Sequence, residues 1–244
     1  MRMTVETAAA HRPMRTVRTP RVLVAAALVA LAGAFFVSAG AEGSTQEGAA
    51  GKETAGPQVT GFRSARFGMS KSETLEAIQR DFQIRREDIL EQSNDEDRTS
   101  SLVAAVTEIF PDSEPAQVVY IHGYKQKKLI QVNVLWGSPV TEEPDPQALV
   151  TTANVLRKYF GELGFDPGKT VMNTRVNDGA FVVFRATDEQ ERMVLLQLIS
   201  RKVPGEMREG EEKPEPQDRA VSLWLSYIED TGNPDIFRIK KGRF

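Results

Sequence analysis

The sequence predicts an α+β protein built as two helix-plus-antiparallel-meander halves, with the helices packed on one face of the sheet. Three observations carry this. Two segments with helical spacing of apolar residues open on cap signals, one at Ser70 and one at Asp145. Each is followed by runs of β-branched and apolar residues broken by turn signals. Strict strand–helix–strand alternation is missing, which argues against a parallel doubly wound sheet.

The chain opens with Arg2, Arg12, Arg15, Arg18 and Arg21, then the uncharged apolar run Val22 to Val37, then Ser38-Ala39-Gly40-Ala41. A basic head, an apolar stretch and small residues at the end form the pattern of a signal peptide over residues 1–41. Cleavage is expected after Ala41 or after Ala39. The alternative is an N-terminal membrane anchor over residues 22–41, whose twenty residues are barely long enough to span a bilayer. Either way the bulk of the chain is expected outside the cytoplasm: periplasmic after cleavage, or held at the inner membrane. No N-x-[ST] acceptor occurs, in keeping with a bacterial envelope. Residues 42–60 are rich in Gly, Ala, Thr and Glu and have little to bury, so they read as a flexible linker. Residues 61–244 form a single α+β domain, divisible into halves 61–140 and 141–244.

Within that domain, Ser70 and Glu73 form a capping box, followed by Leu75, Ile78 and Phe82 at helical spacing. After a charged stretch, Leu102 to Ile109 reads as a strand. Val118 to His122 and Leu129 to Trp136 form an antiparallel hairpin around Gly123 to Lys128. In its second strand Ile130, Val132, Val134 and Trp136 are assigned to a buried face, and Gln131 and Asn133 to a wet one. A second helix starts at Asp145-Pro146 and carries Leu149, Ala153, Leu156, Phe160 and Leu163 in one stripe. Val171 to Val176 and Ala180 to Ala186 are joined by Asn177-Asp178-Gly179, a strong hairpin turn. Met193 to Val203 and Ala220 to Ile228 complete the strands, separated by a charged, Pro-rich loop. Asn233-Pro234 is expected to open a last helical turn before the basic tail Lys240-Lys241-Gly242-Arg243.

Gly61 to Ser70 (GFRSARFGMS), and Gly123-Tyr124-Lys125 with Leu129 to Trp136 (LIQVNVLW), resemble a group of exported proteobacterial proteins without an assigned activity. The resemblance implies export and a shared fold, and no reaction. In the first stretch Phe62, Phe67 and Met69 are expected to dock the start of the domain onto the core, with Gly68 allowing the turn into the helix. The helix-then-meander layout is also similar in order to β-lactamase inhibitor proteins and to small outer-membrane assembly lipoproteins.

Composition narrows the function. The chain has no Cys, so disulfides, thiolate nucleophiles and Cys-ligated metals are excluded. Five of the 31 basic and one of the 34 acidic side chains fall in residues 1–41, leaving −7 on the remainder. That balance disfavours nucleic acid. Gly164 to Thr170 resembles a phosphate loop, yet it has three residues between its glycines instead of four and leads from a helix into a strand. Nucleotide binding is therefore not expected. His122 is the one imidazole after the leader, so no multi-His metal site exists there. Neither Asn94 to Asp97 nor Glu229, Asp230 and Asp235 has calcium-loop spacing. No catalytic residues, metal or cofactor are assigned.

What remains is a basic hairpin tip on an acidic protein. Lys125, Lys127 and Lys128 with Tyr124, and with Tyr120 and His122 in the strand leading to it, form the candidate contact surface for an envelope protein or an anionic lipid surface. The function expected is a non-catalytic binding or scaffold module. The alternative is a periplasmic hydrolase using Ser, Asp or Glu chemistry.

Overall fold

The structure, a computed structural model, describes residues 56–138, 140–177, 179–205, 216–239 and 242. The signal peptide or anchor, most of the linker, the middle of the Pro-rich loop and the tail residues Lys240, Lys241 and Arg243 lie outside the described residues.

The class is α+β, with far more strand than helix. A short ribbon of β1 (Gly61–Phe62) and β2 (Ala65–Arg66) leads into helix α1 (Lys71–Phe82). Four strands follow: β3 (Leu90–Asn94), β4 (Thr99–Val106), β5 (Ala116–His122) and β6 (Leu129–Gly137). Helix α2 (Pro146–Glu162) precedes β7 (Thr170–Asn177), β8 (Ala180–Thr187), β9 (Met193–Val203) and β10 (Gln217–Ile228). All eight of these strands join in one sheet of order β3-β4-β5-β6-β10-β9-β8-β7, and every pairing is antiparallel.

The helices start where their caps demand. The Ser70 hydroxyl accepts from the Glu73 N–H while the Glu73 carboxylate accepts from the Ser70 N–H at 2.7 Å, satisfying two of the orphan donors of the first turn. The Asp145 carboxylate accepts from the Gln147 N–H at 2.9 Å, with Pro146 in the first turn. Leu149, Ala153, Leu156 and Phe160 are buried as the stripe requires, but Leu163 caps the helix and is 40% exposed.

Most strand readings gain a residue or more at their ends; the reading Leu102 to Ile109 instead shifts to Thr99–Val106, and β1, β2 and β3 are new. β3 (LEQSN) is a polar edge strand bonded to β4 alone, with Leu90 more than half exposed. The reading of β6 needs correction. Gln131 and Asn133 are not wet; they are 2% and 3% exposed and bonded to each other, Gln131 Nε2 donating to Asn133 Oδ1 at 2.8 Å. β6 lies mid-sheet between β5 and β10, where each flank is covered by a neighbour. Ile130 also changes side. Ile121 pairs with Gln131 and His122 with Leu129, so Ile130 is the extra residue of a bulge and packs with Val103, Val119, Ile121 and Leu135. The residues after Pro234 form no helical turn; they bend at Asp235, with the Ile236 N–H donating to the Pro234 carbonyl at 2.8 Å, and continue without regular structure to Ile239.

The main core holds Leu75 and Ile78 of α1, Leu149 and Phe160 of α2, and Leu102, Tyr120, Trp136, Leu223 and Phe184 of the sheet. The start of the domain docks into it as expected. Phe62 is 7% exposed, stacks on Phe82 of α1 at 6.4 Å and meets Tyr227 of β10 at 5.6 Å. Gly68 (φ +81°) donates to the Leu129 carbonyl at 2.9 Å, and the Leu129 N–H donates to the Met69 carbonyl at 2.8 Å. Order begins earlier than the linker reading allows. Val59 is buried and its N–H donates to Asp188 Oδ2 at 2.9 Å, because the β8–β9 turn offers it a buried carboxylate.

Phe62→Ala removes a ring that touches both α1 and β10 and is expected to cost about 3–5 kcal/mol in denaturant unfolding. Leu163→Ala, at a largely exposed cap, is expected to cost well under about 1 kcal/mol.

Candidate functional site

The six residues singled out in the sequence do not form one surface. Tyr120 and His122 point into the core from β5. Tyr120 is fully buried, and burial pushes its hydroxyl pKa up beyond the ordinary tyrosine range. His122 lies under α1, 1% exposed, its Nε2 at 3.0 Å from the Thr74 hydroxyl. That hydroxyl also lies 2.9 Å from the Ser70 carbonyl, to which it donates. The contact fixes the ring beneath α1, with Nδ1 buried. Burial first, and then the Lys71 ammonium, bring the imidazole pKa down from 6.5 to about 4, against smaller opposing contributions from the Ser100 backbone and Glu91.

Tyr124, Lys125, Lys127 and Lys128 do meet the surface, on the loop joining β5 to β6. Its shape is fixed by a segment more than a hundred residues away. The Asp235 carboxylate accepts from the Lys125 N–H at 3.0 Å and the Gln126 N–H at 2.8 Å, and the Asp235 carbonyl accepts from the Tyr124 N–H at 2.7 Å. Gly123 is required beneath this clamp, since a methyl there would sit 2.5 Å from Asp235 Oδ2. Two residues on, the Phe237 N–H donates to the Asp97 carbonyl at 2.8 Å, tying the same segment to the β3–β4 turn.

Around the clamp, rings and cations interleave. Tyr124 and Phe237 meet edge to face at 5.7 Å. The Arg98 guanidinium lies 3.8 Å from the Phe237 ring centre and 5.7 Å from that of Tyr124, and the Lys127 ammonium lies 5.5 Å from Tyr124. Arg98, Lys125, Lys127 and Arg238 are exposed. Desolvation, with Glu96 beside it, raises the Asp97 carboxyl pKa, while Arg238 lowers it.

On the other side of the loop is an open cavity of about 430 Å³, lined by Gln126, Lys128, Glu191, Glu229, Asp230 and Asp235 among others. Most of its carboxylates are committed. Asp235 holds the loop amides. Asp230 accepts from Gly232 and Asn233 at 2.9 and 2.8 Å, and Glu191 pairs with Lys169 at 3.2 Å. Desolvation raises the Glu229 pKa, opposed by Arg192 and reinforced by Asp230 and Asp235. No metal-binding group of three or more His, Cys, Asp or Glu occurs among the described residues.

Sequence reasoning found the tip and missed its supports, Arg98, Asp235 and Phe237. In the sequence Asp235 stands out only as one of three acids without calcium-loop spacing; nothing local marks it as a loop clamp. Compared with known protein families, curated proteins and solved structures, the chain has no match.

Two outcomes are expected. Between pH 6.5 and 4 the unfolded chain binds a proton that the folded chain refuses, so stability falls as pH drops through that window. The slope is up to about 1.4 kcal/mol per pH unit and is flattened in His122→Gln, as urea unfolding against pH would record. Asp235→Ala leaves the loop amides of Lys125 and Gln126 uncapped, and their hydrogen exchange accelerates while that of β6 is unchanged.

Proposed function

We propose that the chain is an exported envelope protein acting in the periplasm by binding rather than catalysis, as a docking or scaffold module. We read it as two halves, 61–140 and 141–244, each a helix followed by a four-strand meander, with both helices on one face. The strand order supports this, running inward from each edge to β6 and β10, as does the core shared by α1 and α2. Export is supported by the arginine-led apolar run of residues 1–41. No helix among the described residues is long and apolar enough to cross a membrane.

The proposed contact surface is Tyr124, Lys125, Lys127 and Lys128, widened by Arg98. The observation that carries the reading is the Asp235 clamp: an exposed charged loop is held in one shape by a distant part of the chain. Such a loop adds little to the core, whereas a surface ordered in advance loses less entropy when it binds. The partner is an envelope protein or an anionic lipid surface. Against the hydrolase alternative stand the carboxylates of the adjoining cavity. Acid–base hydrolysis needs two of them free to exchange protons, and Asp230, Asp235 and Glu191 are engaged elsewhere.

The test is photocrosslinking in the envelope of the expressing cell, with a photoreactive residue at position 126 and a control at Glu114 in the loop between β4 and β5. A discrete adduct at 126 and none at 114 is the expected result. Equal labelling at both, or none, overturns the reading.

A further inference from the structure

We infer that the partner of this end is an anionic lipid surface, met by Arg98, Lys125, Lys127 and Arg238 together with Tyr124 and Ile239; the inference rests on the binding role proposed above. Three observations converge on it.

The first is a group of cations on one loop end outside any close ion pair. Some surface cations elsewhere are paired, as in Arg85 with Asp88, Lys169 with Glu191, and Arg175 and Lys202 with Asp218, while exposed Arg80, Arg86 and Lys158 enter no ion pair among the described residues. Among the described residues Arg98, Lys125, Lys127 and Arg238 enter no ion pair within 4.0 Å, and the nearest carboxylate to the loop, Asp235, is turned onto main-chain amides. Asp95, Glu96 and Asp97 lie in the β3–β4 turn, with Arg238 acting on Asp97, and Glu191, Glu229 and Asp230 line the cavity on the β9–β10 side. The basic strip thus runs between two acidic borders, which confines its attraction for an anionic surface to close contact at the strip itself.

The second is the company these cations keep. Tyr124 and Phe237 support Arg98 and Lys127 from below, and Ile239 is 60% exposed beside Arg238. Aromatic rings with a polar edge, an exposed aliphatic and surrounding Lys and Arg are the mixture that suits the headgroup layer. An acidic protein partner would need the cations but not the apolar Ile239.

The third is where the chain leaves the described fold. Val59 is held by Asp188 in the β8–β9 turn, and Gln190 and Glu191 of that turn line the same cavity as Gln126 and Lys128 of the hairpin loop. The described chain therefore begins, around Val59, at the end that carries the basic strip. Residues 42–55 span at most about 50 Å at roughly 3.5 Å per residue, so an anchored form keeps this end within reach of its own membrane.

The chain has no cysteine, so a single environment-sensitive dye can be placed cleanly. Gln126→Cys labels the tip and Glu114→Cys the opposite end, in full-length product as the cell processes it, with its leader state read by intact mass. The probes are vesicles of phosphatidylcholine alone and vesicles containing phosphatidylglycerol. The tip dye is expected to shift to the blue with phosphatidylglycerol only, the Glu114→Cys dye not at all, and the shift to vanish as NaCl rises from about 0.05 to 0.5 M. Lys125→Gln with Lys127→Gln is expected to weaken partitioning roughly 25-fold, about five-fold per charge, while Lys158→Gln on α2 leaves it unchanged; equal melting temperatures show that the variants fold. A tip dye that does not respond, or responds equally to both vesicles, overturns the inference. If it fails while position 126 still crosslinks to a protein, the lipid assignment falls and the binding role stands.

Discussion

The pairing of β6 with β10 is the constraint on which the molecule rests. Seven residue pairs, from Ser222 with Gly137 to Ile228 with Gln131, join the last strand of one meander to the last strand of the other. Without it each meander would expose a long apolar edge, and unpaired edges in water invite association. The junction also explains Gly137. Its φ is +77°, and a methyl there would lie 2.4 Å from the Val221 carbonyl oxygen, so only glycine lets β10 approach. Trp136 and Leu223 then face each other at the centre, both fully buried.

A row of rings crosses this seam. Phe82 stacks on Phe62, Phe62 meets Tyr227, Tyr227 meets Phe160, and Phe160 stacks on Phe184, which touches Phe165. The row runs from α1 through the lead-in segment to α2 and the outer strands, each contact worth about 0.5–1.5 kcal/mol beyond area burial. The lead-in is therefore part of the core rather than an appendage, and the Arg63 guanidinium lies over the Phe82 ring at 4.6 Å.

The candidate site has a different physical basis from the core. Its rings and cations are exposed or half-exposed, so their mutual attraction is weak in water, and the loop's shape comes from main-chain amides donating to one carboxylate. Hydrogen bonds to a charged acceptor are the stronger kind, which is why one side chain from the far end of the chain orders a whole turn. His122, by contrast, is consumed by structure: neutral, bonded to Thr74 and sealed beneath α1.

The sequence by itself determined the class, both helix starts and most strands, because caps and the two periodicities are local properties of neighbouring residues. Ser70 with Glu73 and Asp145 with Pro146 needed no tertiary partner to be read. Alternation along β5 puts Tyr120 and His122 on the face opposite Val119 and Ile121, but periodicity tells which residues share a face and not which face is covered. Only the tertiary structure buried that side beneath α1 and gave Gln131 and Asn133 to an interior. β3 escaped because LEQSN is an edge strand whose polar side chains carry no apolar alternation. Asp235 escaped for a deeper reason: its role is a contact across 110 positions of sequence, and the residues around it are those of any solvated loop.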